Sequence, residues 1–395
     1  LYPGVTEKFL EITMEAYRRE IGDQFGKRCP GVFTDEPQIR PAGGLPWTDH
    51  LPDEFQKRWG YSLIDHLPSL NQPLGDWKRV RHDFFQVLLE QFIEHWGKPN
   101  YEYCEKHGLE FTGHYWEHSW PNCIGVPDKM AMYAWQQRPG IDILFNRYNE
   151  GTHAQFGNVR SVKELASVAN QLGRRRTISE TFGGSGWDTR FEDIKRQVDW
   201  EYVLGVNTLN ECISFVSIRG VRKGDYPQSL SYHEPWWDSY HVLAGYVTRL
   251  SVALSAGEQI NRILIIEPTT TAWMYQGDAR LGPIGDRFQE IVTALAKAQV
   301  EYDIGCEDIM ARHGSVEGAE LVVGQRRYHT VVLPPHTENL NTKTVSLLQA
   351  YVKAGGTVLC CGSPPTLIDG RPSDCGQVAA RCPTWKQVEP DDGLT

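Results

Sequence analysis

The sequence predicts an α/β fold: the later part of a (β/α)8 TIM barrel, strands four to eight, followed by a flavodoxin-like doubly wound parallel sheet. Three observations predict it. Five short apolar strands alternate with helical patterns over residues 31–210, which implies parallel strands joined by helical crossovers. Polar residues gather where each strand ends, at Asp35 and Glu36, at 114–117, at Asn146, at Glu180 and at Asn210. That rim is where barrels carry their active sites. From Arg262 onward the strands become continuous apolar runs such as 263–266, the pattern of strands covered on both faces. The chain has 395 residues, 40% of them hydrophobic, enough for two packed cores. The expected division is 1–257, the C-terminal part of a barrel, and 258–395, a flavodoxin-like domain incomplete at its end.

The elements follow in order. Phe9, Ile12, Ala16 and Tyr17 recur at helical spacing within residues 5–19. A strand at 31–35 runs into Asp35-Glu36-Pro37, and a Gly/Pro-rich excursion covers 41–47. Residues 55–70 are helical in part. One long helix fits 77–107, with Phe84, Val87, Leu88, Phe92 and Trp96 on one face and Gly108 as its stop. The next strand, 109–113, ends in His114-Tyr115-Trp116-Glu117-His118. A short helix at 128–137 precedes a strand at 141–145. A helix at 161–172 starts at Ser161 with Glu164 three residues on, the spacing of a capping box. Strand 176–180 leads to the loop Gly183-Gly184-Ser185-Gly186-Trp187. Helix 191–204, strand 206–210 and helix 237–255 complete this part. The second part reads as strand 263–266, helix 286–299, strand 300–304, strand 330–335, helix 341–354 and strand 357–361.

Composition removes several functions. The 50 acidic residues outnumber the 40 Lys and Arg, for a net charge of −10, which argues against nucleic acid as a partner. No apolar run reaches the roughly 20 residues that span a bilayer, so no membrane anchor is expected. Nine cysteines, an odd number without regular spacing, read as free thiols rather than a disulfide framework or a zinc knuckle. The chain opens at Leu1 and stops past Asp391-Asp392-Gly393, and is expected to be a piece of a longer protein. Any oligomer is expected to form through the second domain.

The chemistry lies in the carboxylates. Glycoside hydrolysis needs one protonated carboxylic acid at the leaving oxygen and a second carboxylate as nucleophile or base. Glu36 and Glu180 end the expected fourth and seventh strands, which face each other across a closed barrel's mouth. Glu36 is the expected general acid, with Asp35 and an aromatic-rich pocket raising its pKa. Glu180 is the favoured partner, and Glu117, one strand from Glu36, is the competitor. His114, Tyr115, Trp116, Asn146, Trp187, Asn210 and Asp35 are the expected sugar-binding residues. Aromatic faces suit ring CH groups, and His and Asn suit hydroxyls; the 13 Trp and 17 Tyr fit that use.

Other motifs read differently. Residues 114–118 match H-x-x-E-H, but that zinc pattern needs a helix, and here the flanks read as strand. The loop at 183–187 lacks the Lys-Ser/Thr of a phosphate loop. Cys361 ends a strand where amidotransferases place a nucleophile, with His336 the nearest base in sequence; an inert buried thiol is the expectation. The rival to hydrolysis is a non-catalytic glycan-binding protein on a decayed barrel.

Several segments together resemble a known family. They are 33–37 (Phe-Thr-Asp-Glu-Pro), 179–183 (Ser-Glu-Thr-Phe-Gly), and 217–220 (Ser-Ile-Arg-Gly) with Lys223, Asp225, Tyr226, Pro227, Ser229 and Pro235-Trp236-Trp237. Their order is similar to that of the α-L-rhamnosidase-like glycoside hydrolases of family 106. The domain order also resembles family 42 β-galactosidases. The resemblance implies a glycosidase acting on plant or microbial glycans, an α-L-rhamnosidase or a β-galactosidase-like retaining enzyme, with calcium near the sugar and no other cofactor. Two positions depart: Asp35 stands where the retaining barrels carry Asn before the fourth-strand Glu, and Glu211 follows Asn210 where a histidine is expected.

Overall fold

A computed structural model describes residues 1–40 and 43–389. Pro41 and Ala42 of the Gly/Pro-rich excursion, and the expected chain end at 390–395, lie outside the described residues. In the first half, five parallel strands follow the alternation of the sequence. They are β1 (Gly31–Thr34), β2 (Glu110–Gly113), β3 (Gly140–Ile143), β4 (Ile178–Thr181) and β5 (Leu209–Glu211). β1 pairs with β2, β3 with β4, and β4 with β5, all in parallel. Between β2 and β3 the side chain of Gln136 bridges the strands: Nε2 donates to the Gly113 carbonyl at 3.1 Å and Oε1 accepts from the Gly140 amide at 3.2 Å. The strands thus lie side by side in chain order, the arrangement of a TIM-barrel wall.

Each strand turns sharply at its carboxyl end. Glu36, Gly113, Phe145, Phe182 and Ile213 all have left-handed backbone, with φ of 45°, 121°, 60°, 76° and 63°. Non-glycine residues rarely adopt this region, and those that do cluster at functional sites. Gly113 is glycine for a further reason. A Cβ there would meet the Thr34 carbonyl oxygen at 2.0 Å. Gly113→Ala is expected to lower stability by at least about 2 kcal/mol, from backbone strain and overpacking together. A denaturant midpoint unchanged from the parent would refute this.

The second half adds β6 (Ile263–Ile266), β7 (Asp303–Gly305), β8 (Gly314–Glu317), β9 (Glu320–Val323), β10 (Arg326–Tyr328) and β11 (Thr330–Leu333). Then come β12 (Asn339–Leu340), β13 (Thr357–Cys361), β14 (Leu367–Ile368), β15 (Arg371–Pro372) and β16 (Trp385–Val388). The main sheet is wholly parallel, ordered β16-β13-β11-β6-β7. β8, β9 and β10 form an antiparallel meander, and β12, β14 and β15 a small separate sheet.

Several boundaries differ from the sequence reading. The long helix at 77–107 is interrupted by a π-helical turn at Ile93–Gly97, and a similar turn at Leu10–Met14 divides the first helix. The helix expected at 161–172 begins at Val159. Its cap is Asn158, whose side chain accepts from the Ser161 amide. Ser161 therefore lies inside the first turn, and Glu164 pairs with buried Arg160 instead of closing a capping box. The strand expected at 300–304 starts only at Asp303, because the Val300 amide still closes the preceding helix on Leu295.

One hydrophobic cluster runs through both halves. Phe85 stacks on Trp273, and the Trp273 indole donates to the Pro127 carbonyl at 2.7 Å. All nine cysteines are free. Among the described residues no helix is long and apolar enough to cross a membrane.

Candidate active site

The ends of β1, β2 and β4 meet at one imidazole. His114, just past β2, is almost completely buried. Its Nε2 donates to Glu180 Oε2 at 3.0 Å and lies 3.4 Å from Asp35 Oδ1. Asp35, Glu36 and His114 each present a ligand atom, all within 4.8 Å of one another. Phe33, on β1, sets its ring edge-on to the His114 ring at 5.6 Å. The parallel register fixes this convergence: Thr34 pairs with Gly113, so the residues after each strand leave the sheet together.

Electrostatics separate the carboxyl groups. Burial raises Glu36 to about 7, with the charges of Asp35, Glu117 and Glu180 adding to it against the pull of His114. Burial also pushes Glu180 upward, but the hydrogen bonds from His114 and the Cys212 thiol hold it below its ordinary value. Burial depresses His114, yet its bond to Glu180 and the nearby acidic groups outweigh that and raise it to about 9. Near neutral pH the cluster therefore holds an imidazolium, an ionised Glu180 and a Glu36 close to its midpoint. Environments that drive two carboxyl groups apart assign acid and base roles.

Two expected residues lie beneath the opening. Glu117 is fully buried; Oε1 accepts from Tyr133 Oη at 2.6 Å and from the Tyr115 amide at 2.9 Å. Its carboxyl, raised by burial, lies beneath the surface of the opening. Tyr115 is also buried, its ring against Phe92 and Tyr133, so it forms no sugar-binding wall. Buried Arg160 holds this floor by donating to the Glu117 carbonyl at 2.8 Å. The turn at Glu117–Ser119 is a short 3-10 turn. His114 faces Glu180 while His118 faces Asp142 at 3.9 Å, so the H-x-x-E-H residues do not converge on one metal.

The other expected residues stand around the rim. Trp116 is exposed. Asn146 is half-buried, with its carbonyl held by Arg196. Trp187 is half-buried and donates to the Lys223 carbonyl at 2.7 Å. Asn210 sits on β5 directly opposite Glu180. Sequence reasoning missed Asp142, which pairs with Glu180 across β3 and β4 and is almost fully buried. A charge between Ile141 and Ile143 was its only signal. It also missed Cys212 and the exposed Phe145, whose ring stacks on Tyr226 at 6.5 Å.

The resemblance implies calcium, and Asp35, Glu36 and His114 are the group here that could approach a cation. Its span suits one cation, but calcium takes about six to eight oxygens. This set supplies two carboxyl groups and an imidazole already committed to Glu180. The three residues do not form a calcium cage.

A Formosa agariphila protein named as a provisional beta-glucuronidase is 22% identical over 366 residues, 88% of this chain and 28% of its own length. The rhamnosidase from Novosphingobium sp. PP1Y superposes with a TM-score of 0.71 at 19% identity, over 95% of this chain and 36% of that one. A cold-adapted beta-galactosidase from Rahnella sp. R3 gives 0.61 at 11% identity, over 93% and 56%. A family 42 exo-carrageenase from Bacteroides ovatus gives 0.60 at 12%, over 86% and 49%. The chain thus spans about a third of the first relatives it matches, and the structural likenesses show a shared barrel-type α/β fold. The profile of glycoside hydrolase family 106, described as alpha-L-rhamnosidase, matches residues 3–381, and the chain belongs to that family.

Proposed function

We propose that the protein is a glycosidase in which Glu36 is the general acid and Glu180 the second carboxylate. The observation that carries this reading is the opposite treatment of two carboxyl groups around one imidazole: Glu36 raised to about 7, Glu180 held low by His114. In the step, the Glu36 proton passes to the glycosidic oxygen as the C–O bond breaks. Glu180, ionised, either attacks the anomeric carbon or takes a proton from the attacking water. Membership of family 106 supports an α-L-rhamnoside as substrate, with the sugar over the Asp35, His114 and Trp116 side of the rim. We put the domain boundary between 257 and 258, in the segment that joins the helix Tyr240–Leu254 to β6.

The test is release of phenol from aryl glycosides by the intact protein, rhamnosides first and galactosides second. A glycan-binding protein on a decayed barrel releases none. The pH profile checks the roles separately. A group active as an acid must keep its proton, so kcat/KM is expected to fall as pH rises through about 7. The acid limb is expected below the ordinary glutamate range, where Glu180 takes up a proton. A profile flat from pH 5 to pH 9 would count against the Glu36 assignment, and an acid limb within or above the ordinary glutamate range would count against the Glu180 assignment.

A further inference from the structure

The second sheet carries a cavity of its own. Its connections run outward from β6 to β7 on one side, and from β11 to β13 and β16 on the other. The loops after β6 and β11 therefore part at the carboxyl end. Open parallel sheets bind ligands in such crevices. A cavity of about 720 Å3 lies there, within the size range of small-molecule sites. Residues 335–338 after β11 and 361–364 at the end of β13 wall it, with Tyr275 and Arg280 from the segment after β6 and Lys78 from the first half. None of Asp35, Glu36, His114 or Glu180 lines it.

The walls are built to a fixed geometry. His336 has left-handed backbone at φ 64°, a conformation that non-glycine residues hold where surrounding structure demands it, often beside ligands. Glu338 accepts from Lys78 Nζ on one oxygen and from Tyr275 Oη on the other. Arg280 lies over the Tyr275 ring at 4.4 Å and is gripped by Asp278 at 2.8 and 2.7 Å. Each cation is thus matched by a carboxylate, which leaves no surplus charge for an anion. What remains is a set of oriented donors and acceptors beside apolar Pro283, Ile284 and Pro335. A ring with hydroxyls on its edge and CH groups on its faces matches that lining. The Cys361 thiol, pushed up to about 11 by burial, stays protonated, so the cavity lacks an activated nucleophile.

We propose that this cavity is a second, non-catalytic carbohydrate site that takes a neutral pyranose unit. It stands apart from the Glu36 cluster and does not depend on the roles given to Glu36 and Glu180.

The experiment is a saturation-transfer NMR titration of the intact protein with D-galactose, D-glucose and L-rhamnose. D-glucuronate and inorganic phosphate are the anionic comparators. Three variants are read alongside: Glu180→Ala in the first cluster, Glu338→Gln in the cavity, and Ser363→Trp at its exposed mouth, where a bulky ring fills space without disturbing a buried group. The expected result is saturable binding of a neutral sugar that survives Glu180→Ala and weakens about tenfold or more in both cavity variants. If Glu338→Gln alters folding, Ser363→Trp alone decides. Binding lost only in Glu180→Ala, tighter binding of glucuronate or phosphate, or no saturable binding of any of the three sugars overturns the proposal.

Discussion

Glu36→Gln is expected to lower turnover of alkyl glycosides, whose leaving groups need a proton, by about 10²–10⁴-fold. Glutamine keeps the size and the hydrogen-bonding edge of the side chain but has no proton to give. The loss is therefore expected in kcat, with KM little changed. It is expected to shrink on glycosides of strongly acidic phenols, which depart without protonation. The alkaline limb near pH 7 is expected to vanish in the variant, because burial and the Asp35 charge set that limb through Glu36 itself. Full activity on alkyl glycosides, or an alkaline limb that persists unchanged, would remove Glu36 from the acid role.

Glu36 was legible because the apolar strand 31–34 stops at two adjacent acids and a proline. The same logic found the ends of β2 through β5, because apolar runs bounded by polar rim residues leave a strong periodic signal. Depth was not legible. Glu117 and Glu180 both follow apolar strands and read alike. What separates them is tertiary: Tyr133 from the helix Lys129–Tyr133 covers Glu117, and Arg160 from the helix Val159–Leu172 pins its backbone. His114 read only as a sugar-binding group, whereas its central place depends on the register between β1 and β2, which no local pattern encodes.

The second half divides in the same way. β6, β11 and β13 are continuous apolar runs and were found. The β8–β10 meander was missed, because its short strands carry charged residues among the apolar ones and are joined by tight turns at Gly318 and Gly324, with φ of 59° and 56°. Such short strands gain their stability from neighbours, here the helix Thr342–Lys353, and not from their own pattern. Ser161 shows the same limit at a helix end. Asn158 and Ser161 are both good caps by type, and the Asn158 side chain takes the role three residues earlier.

Glu180→Ala is the sharper test of the pair. An ionised carboxylate bonded to an imidazolium cannot be the acid, so its removal is expected to cost about 10²–10⁴-fold in kcat while leaving the Glu36 proton in place. The hole left by the side chain opens toward the sugar, because Glu180 is only half-buried at the end of β4. Azide can enter that space. Added azide is expected to restore turnover and to yield a glycosyl azide, since the Glu36 proton still assists departure. Glu117→Gln is the control. Burial raises that carboxyl, and a glutamine oxygen can accept the same bonds from Tyr133 Oη and the Tyr115 amide, so neither a large loss nor azide rescue is expected. The anomeric form of the first product then reads out the geometry. A nucleophilic Glu180 requires a carboxyl separation of about 5–5.5 Å and retention, whereas activation of water requires about 6.5–9.5 Å and inversion. Inversion is the expected outcome, as the rhamnosidase resemblance implies. A Glu180→Ala variant with full activity would take Glu180 out of the chemistry. It would leave the His114 pair as a structural ion pair at the floor of the rim.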